Sequence, residues 1–389
     1  MAALGAVLLG APCDASAQSL PKPITLEGAG GDWKLTLGGW VDAYFGYNFN
    51  DPASRTTTVR AFDVRHDSFA IQVAAVDLQF EGHAGSGTAI ARLTLQAGDE
   101  PEAYYLASGS ENAKDAQPSY DAFRHLQQAY AGYRLPVPGG DDATLEVDMG
   151  LFVSHIGYEG LNAKDNIHFS RSLLFQLTPF YATGARAIYT VSPTVTAQLN
   201  VTNGWNSVVD NNRSKSVGAQ VVWTPTDRVS ATLNWLGGSE QDATLSMRNL
   251  FDAYVVVKPT DDLLLAVNGH AGFDTVHAGT VVSGAILTGE ERAAWYGIAG
   301  YGRYQFDDMW AAGLRLEAFH DEVGVPWEAG YAGTIGEGTA TVEMRPQEHL
   351  ILRLELRHDE ASSGLYETSS PPRLSRAQTT GTLGAIAFF

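Results

Sequence analysis

Hydrophobic and polar residues alternate one by one along much of the chain. In the stretch 350–359, the even positions from 350 to 356 are all leucine, whereas positions 353, 355, 357 and 359 are charged. Successive side chains of a strand point to opposite faces, so the pattern predicts a β-strand with one apolar and one charged face. The alternation recurs at 310–321, 194–202, 145–151 and 34–45. It changes phase near Ala74 and Ala75, which predicts a β-bulge there.

Short turns and long polar segments alternate strictly between these predicted strands. Proline, glycine and aspartate mark seven tight turns, at 84–87, 136–142, 192–193, 225–227, 259–261, 307–308 and 346–348. Eight longer segments lie between them, at about 49–67, 99–121, 158–178, 206–214, 239–247, 276–291, 322–333 and 360–377. Seven turns and eight loops join sixteen strands, with both termini on the short-turn side. The layout predicts an all-β fold, a transmembrane antiparallel up-and-down β-barrel.

The last eleven residues, 379–389, carry no charge and end on two phenylalanines. An uncharged strand at a sheet edge invites pairing with other chains, whereas a closed barrel pairs its last strand with its first. We therefore predict that this segment closes the barrel, with Leu383 outward and Thr380 and Thr382 inward. The alternative is the last strand of a soluble β-domain.

Composition excludes some classes of function and suggests a division of the chain. The chain has 44 acidic and 25 basic residues, which argues against nucleic acid as a partner. No stretch approaches the roughly 20 apolar residues of a membrane helix, so a membrane span would require strands. The only cysteine, Cys13, lies in an apolar segment before Ala15-Ser-Ala17, which predicts a signal peptide over 1–17. Residues 18–32 would then be an N-terminal periplasmic segment and 33–389 the barrel.

The third long segment, 158–178, is unusually apolar for an external loop. We predict that it folds into the barrel and narrows the lumen, with Leu173, Leu174 and Phe175 as anchors on the inner wall. The candidates to line this constriction are Glu159, Lys164, Asp165, His168 and Arg171. A surface loop that packs on its neighbours, or a subunit contact, is the alternative.

Charged residues on the inward faces of the predicted strands are candidates for the lumen wall. They are Asp42, Arg92, Arg134, Glu146, Asp148, Arg186, Arg303, Arg315, Glu317, Arg353, Glu355 and Arg357. Both signs occur, so the sequence indicates no filter of a single charge. Alternatively, many of these residues pair across strands and only stiffen the wall.

Several short motifs, in this order along the chain, resemble the OmpL-like β-barrel porins of bacteria. They are Gly39-Trp-Val-Asp-Ala-Tyr44, Tyr47-Asn-Phe-Asn50, Phe62-Asp63, His66-Asp-Ser-Phe69, Gln128-Ala-Tyr130, Phe169-Ser-Arg-Ser-Leu-Leu-Phe175, Thr183-Gly-Ala-Arg186, Asn203-Gly-Trp-Asn206, Asp210-Asn-Asn212, Arg315-x-Glu317-x-Phe319-x-Asp321 and Arg353-x-Glu355-x-Arg357-x-Asp359. The resemblance spans about 33–389. It implies a bacterial outer-membrane location and a pore for small solutes, but supplies no filter residues. Terminal Phe389 is similar to the ending by which the barrel assembly machinery recognises such proteins.

Three functions remain open at this point. The first is a porin for passive or weakly selective diffusion of small hydrophilic solutes or ions, with membrane lipid as its surroundings and a homotrimer as one possible state. The second is a closed structural or adhesive barrel, and the third is an outer-membrane hydrolase. No Gly-x-Ser-x-Gly motif is present, so we expect no enzyme. No cofactor is predicted, and no metal site either, since the ten histidines are scattered and Asp210-Asn-Asn212 reads more simply as a polar loop tip than as a calcium ligand set.

Overall fold

The computed structural model describes residues 23–102, 123–140, 142–210, 214–240, 247–276, 281–282, 285–286, 291–324, 331–369 and 373–389. The predicted signal peptide at 1–17, residues 211–212 of the Asp210 motif and parts of six predicted loops lie outside these ranges. Within them, no helix combines the length and the apolar composition that crossing a membrane would require.

Strands account for most of the described chain. Their bounds are β1 (Ile24–Glu27), β2 (Trp33–Asn48), β3 (Ser68–Ala84), β4 (Gly87–Ala97), β5 (Leu126–Pro136), β6 (Thr144–Val153), β7 (Tyr181–Ser192), β8 (Val195–Thr202), β9 (Ser216–Thr226), β10 (Val229–Gly238), β11 (Arg248–Val257), β12 (Leu263–Val276), β13 (Val281–Val282), β14 (Ala285–Ile286), β15 (Glu291–Gln305), β16 (Trp310–Asp321), β17 (Gly333–Gln347), β18 (Leu350–Ala361), β19 (Tyr366–Glu367), β20 (Leu374–Ser375) and β21 (Ala377–Phe388). Helical structure includes two 3-10 turns, Phe123–His125 and Ala163–Asp165, and one short α-helix, α1 (Leu173–Gln176).

Sixteen of the described strands close into an antiparallel barrel. Each of β2–β12, β15–β18 and β21 pairs with its neighbour, and β21 returns to β2 from Trp40↔Phe388 to Asn48↔Thr380. The seam continues past β21, where the Phe389 amide donates to the Gly39 carbonyl at 3.0 Å. The predicted strand count, the seven turns and the eight loops are therefore confirmed, and closure leaves no barrel strand with a free edge.

The two faces of the wall differ as the alternation predicts. On β16, Leu314 and Leu316 are 51% and 60% exposed, whereas the intervening Arg315 is fully buried. The closing strand is oriented as expected, with Leu383 exposed and Thr380 and Thr382 buried. An outward apolar band around an inward polar face is what a barrel in a lipid bilayer requires.

Two local features adjust the sequence-based layout. The predicted bulge near Ala74 and Ala75 is misplaced, because those residues pair regularly and the register shifts instead at Gln72, between Ile71↔Ala43 and Val73↔Asp42. Inward and outward positions are both apolar in this part of the strand, so the alternation does not reveal where the extra residue lies. In the predicted 18–32 segment, β1 pairs with the base of β2, with Ile24 opposite Leu37.

The interior is densely packed on one side. A cluster of buried apolar residues joins α1 to the inner faces of β10–β12 and β15–β18, and it includes Leu173, Leu174, Leu250, Trp295, Tyr301 and Phe319. Burying one such side chain contributes about 1.5–3 kcal/mol relative to exposure. This part of the barrel therefore has a hydrophobic core of its own.

Candidate functional site

The segment between β6 and β7, residues 154–180, is here called the inner loop. It is slightly longer than the predicted 158–178, because β6 ends at Val153 and β7 begins at Tyr181. Its first residues lie against β8–β12: the His155 ring contacts Asn200 at 3.0 Å and the Trp235 carbonyl at 3.2 Å, and the Gly157 amide donates to Asp252 at 3.2 Å. Its later residues contact β16–β18.

Carboxylates of the wall accept hydrogen bonds from backbone amides of the inner loop. Glu355 accepts from the amides of Phe169 at 2.7 Å and Ser170 at 3.2 Å. Glu317 accepts from the first two amides of α1, at 2.7 and 2.6 Å. The first amides of a helix have no partner within it, so a carboxylate there satisfies them and also favours the helix dipole.

Guanidinium groups of the same wall donate to backbone carbonyls of the inner loop. Arg353 donates to the carbonyls of Ala163 at 2.7 Å, His168 at 3.1 Å and Asn166 at 2.5 Å. On the neighbouring positions, Arg357 donates to the Arg171 carbonyl at 2.6 Å and Arg315 to the Ser170 carbonyl at 2.9 Å. The rigid fork of an arginine suits several such acceptors at once.

The arginine charges beneath the inner loop are compensated by ion pairs. Arg315 contacts Glu159 and Glu337, each at 2.8 Å. Arg357 contacts Asp359 at 2.7 Å, and Arg353 contacts Glu343 at 2.8 Å. All of these side chains are almost fully buried, so removal of one partner would leave an uncompensated charge in a dry environment.

The first external loop covers the inner loop, and the sequence alone did not reveal this. Arg60 of that loop reaches Asp359 of the wall at 3.0 Å. Phe62 packs edge-on against Phe175 with ring centroids 5.8 Å apart, and the Arg171 guanidinium lies over the Phe62 ring at 5.5 Å. The available signal was Arg60-Ala-Phe-Asp63, an apolar and charged motif inside a loop.

The predicted constriction residues lie in two different environments. Glu159, His168 and Arg171 are buried within the inner loop and its contacts. Arg171, for example, donates to the carbonyls of Gly160, Phe169 and Leu161 of the same loop. In contrast, the side chains of Lys164 and Asp165 are paired at 2.7 Å and are 23% and 33% exposed. The predicted anchors Leu173, Leu174 and Phe175 are all buried.

The predicted wall residues also separate into two groups. A covered group is nearly inaccessible, and its members are Asp42, Asp148, Arg186, Arg303, Arg315, Glu317, Arg353, Glu355 and Arg357. An open group on β3–β6 remains partly exposed: Arg92, Arg134 and Glu146 have side chains that are 22%, 35% and 13% accessible. Glu81, which pairs with Arg134 at 3.2 Å and is 28% exposed, belongs with them.

Several solved β-barrels share this architecture. The outer membrane channel DcaP of Acinetobacter baumannii has a TM-score of 0.60 at 12% identity, covering 94% of this chain and 99% of that one. OmpT of Vibrio cholerae has a TM-score of 0.59 at 8% identity, and the match covers 94% of this chain and 100% of that one. An anion-selective porin from Comamonas acidovorans has a TM-score of 0.56 at 11% identity, and the match covers 92% of this chain and 100% of that one. Identities this low establish a shared fold alone.

Comparison with known sequences gives the family. None of the curated proteins compared with the chain matches it. The family model described as "Putative beta-barrel porin-2, OmpL-like" matches residues 34–389, nearly the whole described barrel. The resemblance of the short motifs is thereby confirmed, and the chain belongs to this OmpL-like family of porin barrels of the bacterial outer membrane.

Proposed function

We propose that the protein is a restricted diffusion porin for small hydrophilic solutes or ions, with the inner loop as a fixed constriction. The observation that carries the proposal is the division of the wall charges. Arg315, Glu317, Arg353, Glu355 and Arg357 are buried in bonds to the inner loop. In contrast, Arg92, Arg134, Glu81 and Glu146 on β3–β6 keep partial exposure. A solute would therefore pass along the partly exposed charges of β3–β6, beside the point where Gln127 of β5 donates to Asn162 of the inner loop at 3.0 Å.

The open path carries both signs of charge, so we infer weak selectivity. Arg134 lies between Glu81 and Glu146, and Arg92 pairs with Asp77 at 2.9 Å. On the facing edge, Lys164 pairs with Asp165. Paired charges produce little net field at a distance, and selectivity depends on which of them share the narrowest ring. The proposal includes no catalytic step. A hydrolase on the outer face would need a histidine beside a nucleophile, whereas the outward His320 and His358 each contact a threonine hydroxyl, at 2.8 and 2.9 Å.

Cysteine accessibility tests the path. In a Cys13→Ser background, Asp165→Cys should react with a charged methanethiosulfonate reagent and lower the single-channel conductance in a planar bilayer. Thr382→Cys is the matched control, because Thr382 points inward but is only 5% exposed, opposite Glu355 on the paired strand. Equal responses of the two variants would place the path elsewhere.

The closed-barrel alternative has a specific observation in its favour, the apolar core that fills part of the interior. Conductance of the unmodified protein separates it from the porin. Stable ohmic steps are expected from a correctly folded and inserted barrel, and an electrically silent one would refute the proposed function.

The oligomeric state is a separate question. One related structure of Vibrio cholerae OmpT is described as a trimer form, and we propose the homotrimer as the state to test by cross-linking.

A further inference from the structure

One arginine of the inner wall lies against two aromatic rings and keeps free hydrogen-bond donors. The guanidinium carbon of Arg186 is 4.7 Å from the ring centres of both Tyr130 and Phe152. Its Nε donates to the two carboxylate oxygens of Asp148, at 3.1 and 2.9 Å. Nη1 and Nη2 have no hydrogen-bond partner among the described residues, and neither is sealed from solvent. Nearly buried donors are normally satisfied, so these two can take an acceptor from the lumen.

The wall leaves room for this contact. Tyr130 lies on β5 and Arg186 on β7, so the ring reaches Arg186 across β6. The β6 residue opposite Tyr130 is Gly150, whose φ is +144. A Cβ at that position would lie 2.7 Å from the Cα and 2.9 Å from the Cβ of Tyr130. The glycine therefore lets the aromatic side chain pass over β6, and the contact with the ring holds the guanidinium in place and favours its charge.

A second guanidinium lies on the other side of Tyr130. Arg92 of β4 is paired directly with Tyr130 of β5, and it binds Asp77 through Nε and Nη2 at 2.9 and 3.1 Å. In both ion pairs the arginine is more exposed than its carboxylate. The side-chain exposures are 22% against 9% for Arg92 and Asp77, and 9% against 0% for Arg186 and Asp148. The member of each pair that meets the lumen is therefore the cation.

We propose that Arg92, Tyr130 and Arg186 form a binding subsite for the carboxylate group of a small organic solute. A carboxylate has two acceptor oxygens in one plane, which match the paired donors of a guanidinium fork. Tyr130 is partly exposed and offers an aromatic surface beside the charges for the organic part of the solute. The subsite rests on the proposed function only for the route by which the solute arrives.

The neighbouring carboxylates are already engaged in bonds within the wall. Asp77 accepts from the Thr94 hydroxyl at 2.5 Å in addition to its arginine. Glu81 and Glu146 both bind Arg134, at 3.2 and 2.7 Å. The subsite therefore acts through short-range hydrogen bonds rather than through a net positive field, and this agrees with weak selectivity of the lumen as a whole.

Fluorine NMR tests the subsite without reference to conduction. The full-length protein, folded in detergent, is titrated with 4-fluorobenzoate, and 4-fluorobenzamide serves as a neutral ligand of nearly the same shape. Empty micelles give the baseline for both. The wild-type protein should broaden and shift the benzoate signal saturably, and it should leave the benzamide signal at the micelle baseline.

Lysine substitutions identify the donors. Arg186→Lys and Arg92→Lys keep a positive charge beside each carboxylate but remove the guanidinium fork, so each should weaken benzoate binding about tenfold. Arg134→Lys is the matched control, because Arg134 is 35% exposed on the same wall but is held between two carboxylates. This variant should bind benzoate as the wild type does. Equal weakening by all three substitutions would indicate a diffuse field and overturn the proposal.

Tyr130→Leu keeps the test valid if the arginine variants fail to fold, since it removes the ring without altering charge. It too should weaken benzoate binding. The proposal is also overturned if the folded wild type binds benzoate no better than benzamide. These results are separable from the proposed function: an electrically silent barrel that binds benzoate refutes the pore and keeps the subsite, whereas an ohmic barrel that does not bind it loses only the subsite.

Discussion

At the scale of single residues, the inner wall recognises the backbone of the inner loop. The carboxylates of residues 317 and 355 accept hydrogen bonds from its backbone amides. The guanidinium groups of residues 315, 353 and 357 donate to its backbone carbonyls. Hydrogen bonds that involve a charged group contribute about 1.5–3 kcal/mol, more than neutral ones. The same burial that strengthens these bonds makes loss of one partner costly.

Replacement of Glu355 by glutamine should loosen the inner loop. The side chain would keep one oxygen but present an amide nitrogen to the donors of Phe169 and Ser170, so the unfolding free energy should fall by about 2 kcal/mol. Urea titration of the folded barrel measures this. Glu360→Gln is the control on the same strand, since Glu360 is exposed and should change stability by less than about 0.5 kcal/mol.

At the scale of elements, the inner loop behaves as a buried connection with two neutral histidines. Burial lowers the pKa of His155 to about 4. Burial, with the neighbouring Arg315, lowers that of His168 well below its usual value. Nδ1 of His155 accepts from the Asn200 amide and Nε2 donates to the Trp235 carbonyl, an arrangement that requires the neutral ring.

Acidification should therefore destabilise the inner loop. The unfolded histidine binds a proton below about pH 6.5, whereas folded His155 does not until about pH 4. Stability is full above pH 6.5 and declines as pH falls towards 4, by on the order of 3 kcal/mol for His155. Urea midpoints across this range test the slope. His155→Gln should have a shallower profile, and an unchanged slope would contradict the assignment.

At the scale of the whole molecule, closure depends on a small residue at the seam. A Cβ on Gly39 would lie 2.8 Å from the ring of Phe389, and the two backbones exchange hydrogen bonds at 3.0 and 3.2 Å. The final aromatic ring thus lies directly over Gly39. Both partners of β21 would be left with free edges if this strand did not dock.

A larger residue at the seam should impair closure. Gly39→Leu must displace the Phe389 ring, and overpacking of this kind costs about 1–3 kcal/mol. We expect a lower urea midpoint and a smaller fraction of folded barrel on unheated gels. The control is Gly30→Leu, because no atom lies within 4 Å of a Cβ at Gly30. Equal behaviour of both variants would show that the ring can move aside freely.

Sequence reasoning recovered the features that depend on local pattern. Strict alternation gave the two faces of β18, and the order of short turns and long loops gave sixteen strands. It could not tell which inward charges stay accessible, because Arg134 and Arg357 have the same period-2 signature and differ only in what lies across the barrel. The role of Arg60 was hidden for the same reason, since its partner Asp359 is 299 positions away.

The way the wall holds the inner loop has a practical consequence for engineers of nanopore sensors. The wall binds much of this segment through its main-chain atoms, so side chains that point away from the wall should matter little to the position of the segment. We therefore expect that Lys164 and Asp165, whose partly exposed side chains pair with each other, can be exchanged together while the segment keeps its position. In the proposed pore, the wall and the loop backbone would set the geometry and these two side chains the chemistry, so analyte preferences could be screened on an unchanged scaffold.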